Sequence, residues 1–312
     1  MIERVPVDGG YARPAEPAWR RTDWSAREHD AVVGGRRLRY LDTGHGDRAF
    51  VLVHGMGGRW QHWLEAIPTL AKQGRVLALD LPGFGRSESP AAGTSLDGFA
   101  AAAAELVTSL GIERVVFVGH SMGGPIALRF AARHPELADG IVLVAGAVLQ
   151  FSDVLGLRGM PRFVRERPRE TAAIAMEIAT AGLPAPAPLR RLVVRSQALR
   201  RVFLSPYVLD PPALPADTAA LIVDGAGARG VFPTVRAIGR SNPRQGLADV
   251  RCPILSLAAE HDRIAPLGDT ELLDAELSGV RTVVLEGCGH MPMLERPTAF
   301  NAQVVRFAEE LG

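Results

Sequence analysis

The chain alternates between short, unbroken apolar runs and longer amphipathic stretches. Apolar runs that do not alternate with polar residues are typical of strands covered on both faces of a sheet. Six such runs occur: FVLV at 50–53, VLAL at 76–79, VVFV at 115–118, IVLV at 141–144, ILSLAA at 254–259 and TVVL at 282–285. Helical periodicity lies between most of them and closes the chain. The pattern predicts a mostly parallel sheet with helices on both faces.

The first part of the chain predicts different elements. Two alternating runs surround Gly34-Gly35 within EHDAVVGGRRLRYLDTG, which is typical of a β-hairpin with a tight turn. Residues 1–25 hold prolines, arginines and two tryptophans without periodicity. We expect them to form an arm that lies across the domain.

The alternation of strand and helix breaks between residues 147 and 247. This stretch is helical in pattern, contains eleven prolines and has no run typical of a strand. It is too long for an ordinary connection between two elements. We therefore expect a core of residues 26–146 and 248–312 and an inserted helical cap over residues 147–247. Apolar side chains of the cap are expected to line a pocket over the strand ends.

Composition and charge bear on the class of protein and its partners. With 312 residues and 47% hydrophobic content the chain can form one large domain with an insertion, and a net charge of +1 indicates neither a nucleic-acid nor a membrane-surface partner. No segment is typical of a membrane span or a signal peptide, so we expect a cytoplasmic location. The two cysteines fit a reducing compartment, and no metal-ligand spacing or phosphate-binding loop occurs. We expect a small-molecule substrate, no cofactor and no metal, and the sequence does not predict the oligomeric state.

A single serine stands where one predicted strand must become a helix. In VVFVGHSMGGPIALRF, Ser121 lies between Gly119 and Gly123, two residues away on either side. Small residues at these positions let the strand and the helix approach closely, and the serine is held in a strained turn at a helix N-terminus. This is the pattern of a nucleophile elbow, although an ordinary glycine-rich turn has the same local sequence.

Residues capable of catalysis follow other predicted strands. His54 and a glycine-rich turn follow FVLV, Asp262 follows ILSLAA, and His290 follows TVVL. Ligands of parallel sheets bind beyond the carboxyl ends of the strands, so Ser121, Asp262 and His290 are expected to lie on one rim. Serine, then aspartate, then histidine is one of the chain orders in which catalytic triads occur.

Five motifs, in this order, give the chain a resemblance to a known family: HGMGG, DLPGFGRS, GHSMGG, HDRIAP and GCGHMPMLERP. Over most of its length the sequence resembles the α/β-hydrolase superfamily, in the cap-bearing branch of esterases, lactonases, C–C hydrolases and epoxide hydrolases. The resemblance implies the α/β-hydrolase fold, with Ser121 as nucleophile, His290 as general base and Asp262 as the carboxylate that orients the histidine. It also implies an oxyanion hole formed by the backbone N–H groups of Met56 and Met122.

Other titratable residues lie beside these motifs. We expect His54 and His120 to brace their turns, and Asp80 to brace a turn rather than bind a metal. His261 does not follow the last strand, which disfavours it as the base.

Two further alternatives concern the acid and the nucleophile. Glu260 and Asp269 flank Asp262 along the chain and stay alternatives to it. Cys288 lies two residues before His290, which suits either a reactive thiol beside a base or a packed thiol.

The serine at position 121 disfavours epoxide hydrolases and haloalkane dehalogenases, which attack through aspartate. We therefore expect a serine hydrolase that cleaves a carboxylic ester, lactone or thioester of a small, largely apolar substrate through an acyl-enzyme. The alternative is a C–C bond hydrolase of a vinylogous diketone, for which five arginines within residues 158–169 offer partners for a substrate carboxylate. The same run is typical of a solvated face. A remote alternative is a non-catalytic ligand-binding protein, which predicts a broken triad or a filled pocket.

Overall fold

The computed structural model describes residues 2–6, 10–13, 19, 22–46, 48–90, 92–146, 160–277 and 279–312, without the side chains of Met160 and Asp269. Its strands are β1 Glu3–Val5, β2 Glu28–Val33, β3 Arg36–Asp42, β4 Arg48–Val53, β5 Arg75–Leu79, β6 Arg114–His120, β7 Ala138–Val144, β8 Ile254–Ala259 and β9 Val280–Leu285. They form one sheet in the order β1-β9-β8-β7-β6-β4-β5-β3-β2. Only the β2–β3 and β3–β5 pairs of this sheet are antiparallel. The predicted mostly parallel sheet is thus confirmed.

The two ends of the sheet differ in how well the sequence predicts them. β2 and β3 form the predicted hairpin, whose turn residues Gly34 and Gly35 have φ values of 54° and 71°. A two-residue turn of this kind needs positive φ at both positions, which glycine adopts without strain. At the other end β1 pairs with β9 as an edge strand. The sequence did not predict β1, because three residues are too few to show a periodicity.

The helices in the described ranges are α1 Ile67–Leu70, α2 Leu96–Ser109, α3 Gly123–Arg133, α4 Met160–Glu166, α5 Pro168–Gly182, α6 Ala187–Arg195, α7 Gln197–Leu204, α8 Ala216–Val223, α9 Val231–Ile238, α10 Leu267–Glu276, α11 Pro292–Glu295 and α12 Pro297–Glu310. None of them is long and apolar enough to cross a membrane. Residues 60–70, between β4 and β5, form two short elements instead of one helix. A 3₁₀ turn at Trp60–Trp63 precedes the short α1, which begins beside Pro68 because proline favours the first turn of a helix.

The core fixes the position of the turn between β6 and α3. The strands β4, β6 and β7 are buried over nearly their whole length, as their unbroken apolar sequences predict. Phe117 of β6 contacts Phe130 of α3, with 4.8 Å between the ring centroids. Strand and helix are therefore packed against each other close to the turn that joins them.

Of the helices that lie between β7 and β8 in the chain, α8 and the N-terminal end of α9 contact loops at the carboxyl edge of the sheet. The carbonyl oxygen of Leu221 in α8 is 3.1 Å from Nε2 of His62. The N–H of Gly230 donates to the carbonyl oxygen of Gly83 over 2.9 Å. The loops with His62 and Gly83 follow β4 and β5, so these helices cover the ends of those strands. The boundaries 147–247 stay a prediction, because residues 147–159 lie outside the described ranges.

Candidate active site

Ser121 occupies the turn between β6 and α3 with a φ of 52°, in the left-handed region that residues other than glycine rarely adopt. The side chain is buried. A Cβ atom added to Gly119 would lie 2.1 Å from the carbonyl oxygen of Gly123, and one added to Gly123 would lie 2.6 Å from that of Val53. Both glycines are therefore required for the close approach of strand and helix. The strained serine and its two glycines have the local geometry of a nucleophile elbow.

Asp262 and His290 are in direct contact, 2.8 Å apart from Oδ2 to Nδ1. The exposed fraction of the His290 side chain is 1% and that of the Asp262 side chain is 0%. The other carboxylate oxygen of Asp262 accepts hydrogen bonds from the N–H groups of Ile264 and Ala265, each of 2.8 Å. Because Nδ1 faces a carboxylate, it carries the proton in the neutral ring, and Nε2 is left as an acceptor.

His120, which directly precedes Ser121, connects this turn to the loop that carries His290. Its Nε2 donates to the carbonyl oxygen of His290 over 2.8 Å, and the two rings lie 4.8 Å apart between centroids. Nε2 of His290 has no hydrogen-bond partner among the described residues, so its bond to the Ser121 hydroxyl is not formed in this structure. Such bonds often tighten only when substrate is bound. The structure therefore brings Asp262 and His290 into contact and leaves Ser121 as their neighbour on the same rim.

The electrostatic surroundings of His290 favour its protonated form. Burial alone lowers the pKa of a histidine, but the charge and the hydrogen bond of Asp262 raise the pKa of His290. The nearby carboxyl groups of Glu177 and Glu295 raise it further, so the net pKa lies above the usual value of 6.5. A raised pKa suits a base that must accept and hold a proton during a reaction near neutral pH.

The remaining motif histidine braces a turn. The N–H of Leu81 donates to Nε2 of His54 over 3.0 Å, so the proton of the neutral ring is on Nδ1, which donates to the carbonyl oxygen of Gly55 over 2.8 Å. Burial lowers the pKa of His54 to about 4. Burial also lowers the pKa of His120, well below its usual range. Neither ring is charged near neutral pH.

Asp80 likewise acts within a turn. Its carboxylate accepts hydrogen bonds of 2.8 Å from the N–H groups of Trp60 and Arg86. These bonds hold together the two loops that follow β4 and β5.

The alternative catalytic residues lie in unsuitable surroundings. The Cys288 thiol is buried, donates to the carbonyl oxygen of Leu285 over 3.4 Å, and has its pKa raised by burial, which disfavours the thiolate. Glu260 lies 3.3 Å from Arg4 and accepts from the N–H of Gly287 instead of contacting His290. The side chain of Asp269 is outside the described part of the chain.

Met56 and Met122, whose N–H groups are the expected oxyanion donors, are both buried. Met122 directly follows Ser121 and caps the N-terminus of α3, where free N–H groups and the helix dipole favour negative charge. Met56 lines the cavity described below. Their donation to an oxyanion stays a prediction.

Glu295, within the motif GCGHMPMLERP, has a role that the sequence did not reveal. Its buried carboxylate accepts hydrogen bonds from the N–H groups on both sides of His290, at 2.9 Å from Gly289 and 3.1 Å from Met291. It also accepts from the N–H of Leu209 at 2.7 Å, in the helical segment between β7 and β8. The carboxylate therefore fixes the backbone that carries His290. Its spacing from His290 gives no pattern by which sequence alone could find it.

A cavity of about 340 Å³ lies between the sheet edge and the helices α5 to α8, and His290 and Met56 are on its wall. Most of the other lining residues are apolar. They include Met176, Ala181, Leu183, Leu189, Val193, Phe203, Leu204, Ile222, Val223 and Met291. Glu177 of α5 also lines it and is buried, with an exposed fraction of 2%. Glu177 was not predicted from the sequence, although its position on the apolar face of an amphipathic helix is a signal that could have identified it.

The arginine run lies away from this cavity. Arg162 and Arg165 have side chains that are 79% and 80% exposed and pair with Glu166 of the same helix. Within the described ranges no residue of the run is among those that line the cavity. Arg158 lies outside the described ranges. The solvated face is thus the better interpretation of the described part of the run.

Comparison with known proteins agrees with this fold. The family model of the alpha/beta hydrolase fold matches residues 48–297. The chain is 32% identical to the dihydrolipoyllysine-residue acetyltransferase component of an acetoin cleaving system from Cupriavidus necator, over 94% of this chain and 71% of that protein. It is 28% identical to a pimeloyl-[acyl-carrier protein] methyl ester esterase from Pectobacterium carotovorum, over 87% of this chain and 98% of that protein. It is also 28% identical to a 2-hydroxy-6-oxononadienedioate/2-hydroxy-6-oxononatrienedioate hydrolase from Burkholderia vietnamiensis, over 87% and 90%.

Proposed function

The chain belongs to the α/β-hydrolase fold family, and from this premise we propose that it is a serine hydrolase that cleaves a carboxylic ester of a small, largely apolar substrate. The observation that carries the proposal is the strained Ser121 beside the His290–Asp262 pair, with His290 on the wall of an apolar cavity. A nucleophile, a base and an orienting carboxylate are the parts that acyl transfer requires.

In the proposed reaction Oγ of Ser121 attacks the acyl carbon while Nε2 of His290 accepts the hydroxyl proton. The C–O bond of the ester then breaks, and His290 returns the proton to the leaving alcohol. Water attacks the resulting acyl-enzyme, His290 accepts the water proton, and the carboxylic acid leaves as Ser121 regains its proton. Asp262 holds the ring in the tautomer that leaves Nε2 free and stabilises the imidazolium.

The backbone N–H groups of Met56 and Met122 are the proposed donors to the oxyanion of each tetrahedral intermediate. Each such donor typically lowers the barrier by about 3–4 kcal/mol. Burial of both residues supports this role, because hydrogen bonds to a developing charge are stronger where water is excluded.

The nature of the cavity supports an ester with an apolar acyl or alcohol group. Its wall consists mostly of aliphatic side chains, and the relative from Pectobacterium carotovorum is named as an esterase. Lactones and thioesters present the same acyl carbon and are covered by the same proposal.

C–C bond hydrolysis is the second candidate, favoured by the relative from Burkholderia vietnamiensis. A substrate with a carboxylate needs a cation near the bond that breaks. Arg190 on the cavity wall lies 3.7 Å from Asp224, and the acidic Glu177 faces the same space. These charges favour the ester over the carboxylate-bearing diketone.

A panel of p-nitrophenyl esters and one dienoate diketone tests the proposal. We expect hydrolysis of the esters by the wild type and a loss of several orders of magnitude in Ser121→Ala, with both proteins equally folded by circular dichroism. A faster reaction with the diketone than with every ester would replace ester hydrolysis by C–C hydrolysis.

A further inference from the structure

Glu177 is an unusual residue on the cavity wall. It lies on the buried face of α5, with Ala173, Ile174 and Ala181 as its apolar neighbours on that face. Its Oε2 is buried and has no hydrogen-bond partner among the described residues. A buried carboxyl oxygen without a partner is costly, so such a group is expected to have a ligand in the working protein.

The hydroxyl groups nearest in the fold do not satisfy this carboxyl. The Thr180 hydroxyl donates to the backbone carbonyl oxygen of Met176 over 2.7 Å, and the Tyr207 hydroxyl lies 2.5 Å from the Thr180 oxygen. Burial raises the pKa of Glu177 to about 7, opposed by His290 and increased by Asp262. The side chain therefore ionises near neutral pH and is then a strong acceptor.

A second unpartnered acceptor occurs on the same wall. Nε2 of His62 is 3.1 Å from the carbonyl oxygen of Leu221, so it carries the ring proton and Nδ1 is an acceptor. Nδ1 is buried and has no partner among the described residues. Burial lowers the pKa of His62 to about 3, so the ring is neutral and cannot supply a charge to Glu177.

The arginine on the wall already has a partner. Arg190 pairs with Asp224 at 3.7 Å. His120, also on the wall, donates its Nε2 proton to His290 and has an unpartnered Nδ1. When His290 is neutral, as a base must be, its unpartnered Nε2 is also an acceptor, and a hydrogen-bond donor on a ligand would then match all of these atoms.

We propose that Glu177 is a specificity-determining residue that binds a hydrogen-bond donor, a hydroxyl or an amine N–H, on the part of the substrate that the cavity holds. This inference rests on the proposed ester hydrolysis and names its substrate class, which is an ester that bears a donor on an otherwise apolar chain. A substrate carboxylate in the same place would meet Glu177 in an apolar cavity and be repelled.

The test compares p-nitrophenyl butanoate, hexanoate and octanoate with their ω-hydroxy, ω-amino and ω-carboxy derivatives, at about pH 8, where Glu177 is ionised. Enzymes are the wild type, Glu177→Leu and Glu177→Gln, with Glu170→Gln on the same helix as the matched control. For at least one chain length we expect kcat/KM of the wild type to be about ten- to hundredfold higher for the ω-hydroxy or ω-amino ester than for the unsubstituted one. Glu177→Leu should abolish that ratio and raise kcat/KM for the ω-carboxy ester, whereas Glu170→Gln should leave the ratios unchanged.

Glu177→Gln distinguishes the two kinds of donor. The amide keeps an acceptor oxygen without the charge, so a preference for a neutral hydroxyl should largely persist and a preference for an ammonium group should be lost. A Glu177→Leu variant whose kcat/KM changes by the same factor for all derivatives at every chain length would overturn the inference and leave ester hydrolysis standing.

Binding without catalysis separates the two proposals. If the wild type hydrolyses none of the esters, ester hydrolysis fails, and the inference is tested by titration calorimetry with octanol and with the diol that has a hydroxyl at each end. The diol should then bind the wild type about tenfold more tightly than octanol, and Glu177→Leu should remove the difference. Equal affinities of the wild type for both compounds would overturn the inference.

Discussion

The hydroxyl of Tyr11 donates a hydrogen bond of 2.9 Å to Oε2 of Glu295, 284 positions further along the chain. The same hydroxyl accepts from the N–H of Asp210 over 2.9 Å. Because Glu295 also holds the backbone on both sides of His290, Tyr11 links the N-terminal segment, the helical segment and the histidine loop.

Tyr11→Phe should therefore destabilise the protein. Removing the hydroxyl leaves the N–H of Asp210 without its acceptor and Glu295 with one donor fewer, which typically costs about 1–3 kcal/mol. Urea unfolding measures the change in the free energy of unfolding. Tyr40→Phe, at a buried tyrosine of β3, is the matched control, and an equal effect of both substitutions would argue against a special role for the Tyr11 hydroxyl.

The pH dependence of catalysis should report the raised pKa of His290. The base must be neutral to accept the serine proton, so kcat/KM should fall on the acid side with an apparent pKa above 6.5. Glu177 raises the pKa of His290, so Glu177→Gln should move this fall to lower pH. Rate measurements under chemistry-limited conditions check both points, and a fall that moves to higher pH in the variant would contradict the assignment.

Glu177 should reduce stability at alkaline pH. Its pKa is about 7 in the folded protein against an ordinary 4.5, so the folded state binds its proton more tightly than the unfolded state. The resulting stabilisation is complete below the ordinary pKa and is lost as the pH rises through about 7, a change on the order of 3 kcal/mol.

Glu177→Gln should remove this dependence. The difference in the free energy of unfolding between variant and wild type should shift in favour of the variant from about pH 5 to about pH 8. Urea unfolding at both pH values measures it. A difference that is the same at both pH values would show that Glu177 does not titrate as its surroundings indicate.

Asp262→Asn should retain the fold and lower kcat/KM by about 10³–10⁴, because an amide favours the wrong tautomer of His290. Glu260→Gln is the matched control, since Glu260 is the neighbouring acid that contacts Arg4 instead. We expect the control to change kcat/KM by less than a factor of about three. If Glu260→Gln caused the larger loss, the acid of the site would be reassigned.

The framework of the fold could be predicted because its central strands are buried over nearly their whole length. Their unbroken apolar runs stand out, and the pair Gly34-Gly35 marks the hairpin. The meeting of Asp262 and His290 follows from the fact that parallel strands end on one rim, whereas their catalytic roles stay a prediction. Features that depend on contacts between distant parts of the chain could not be predicted from local sequence. One example is the short β1, which pairs with β9.

The polar side chains of the cavity were harder to predict than the strands. Glu177 lies among apolar residues because α5 packs over the strand ends, and no spacing in the sequence relates it to His290. The sequence offered the arginine run as a partner for a substrate carboxylate instead. In the structure Arg162 and Arg165 are exposed and form ion pairs with Glu166. Packing between segments far apart in the chain decides which charged residues face a ligand.

Labelling with a fluorophosphonate tests the central claim most directly, because only an activated serine forms the stable phosphonyl adduct at an appreciable rate. Intact-protein and peptide mass spectrometry of the wild type should find one adduct, on Ser121, and none on Ser121→Ala. As the wild type reacts with the fluorophosphonate, the labelled fraction should rise in parallel with the loss of ester hydrolysis. An unlabelled wild type that hydrolyses esters, or a Ser121→Ala variant that is labelled and active, would contradict the assignment of Ser121 as the nucleophile.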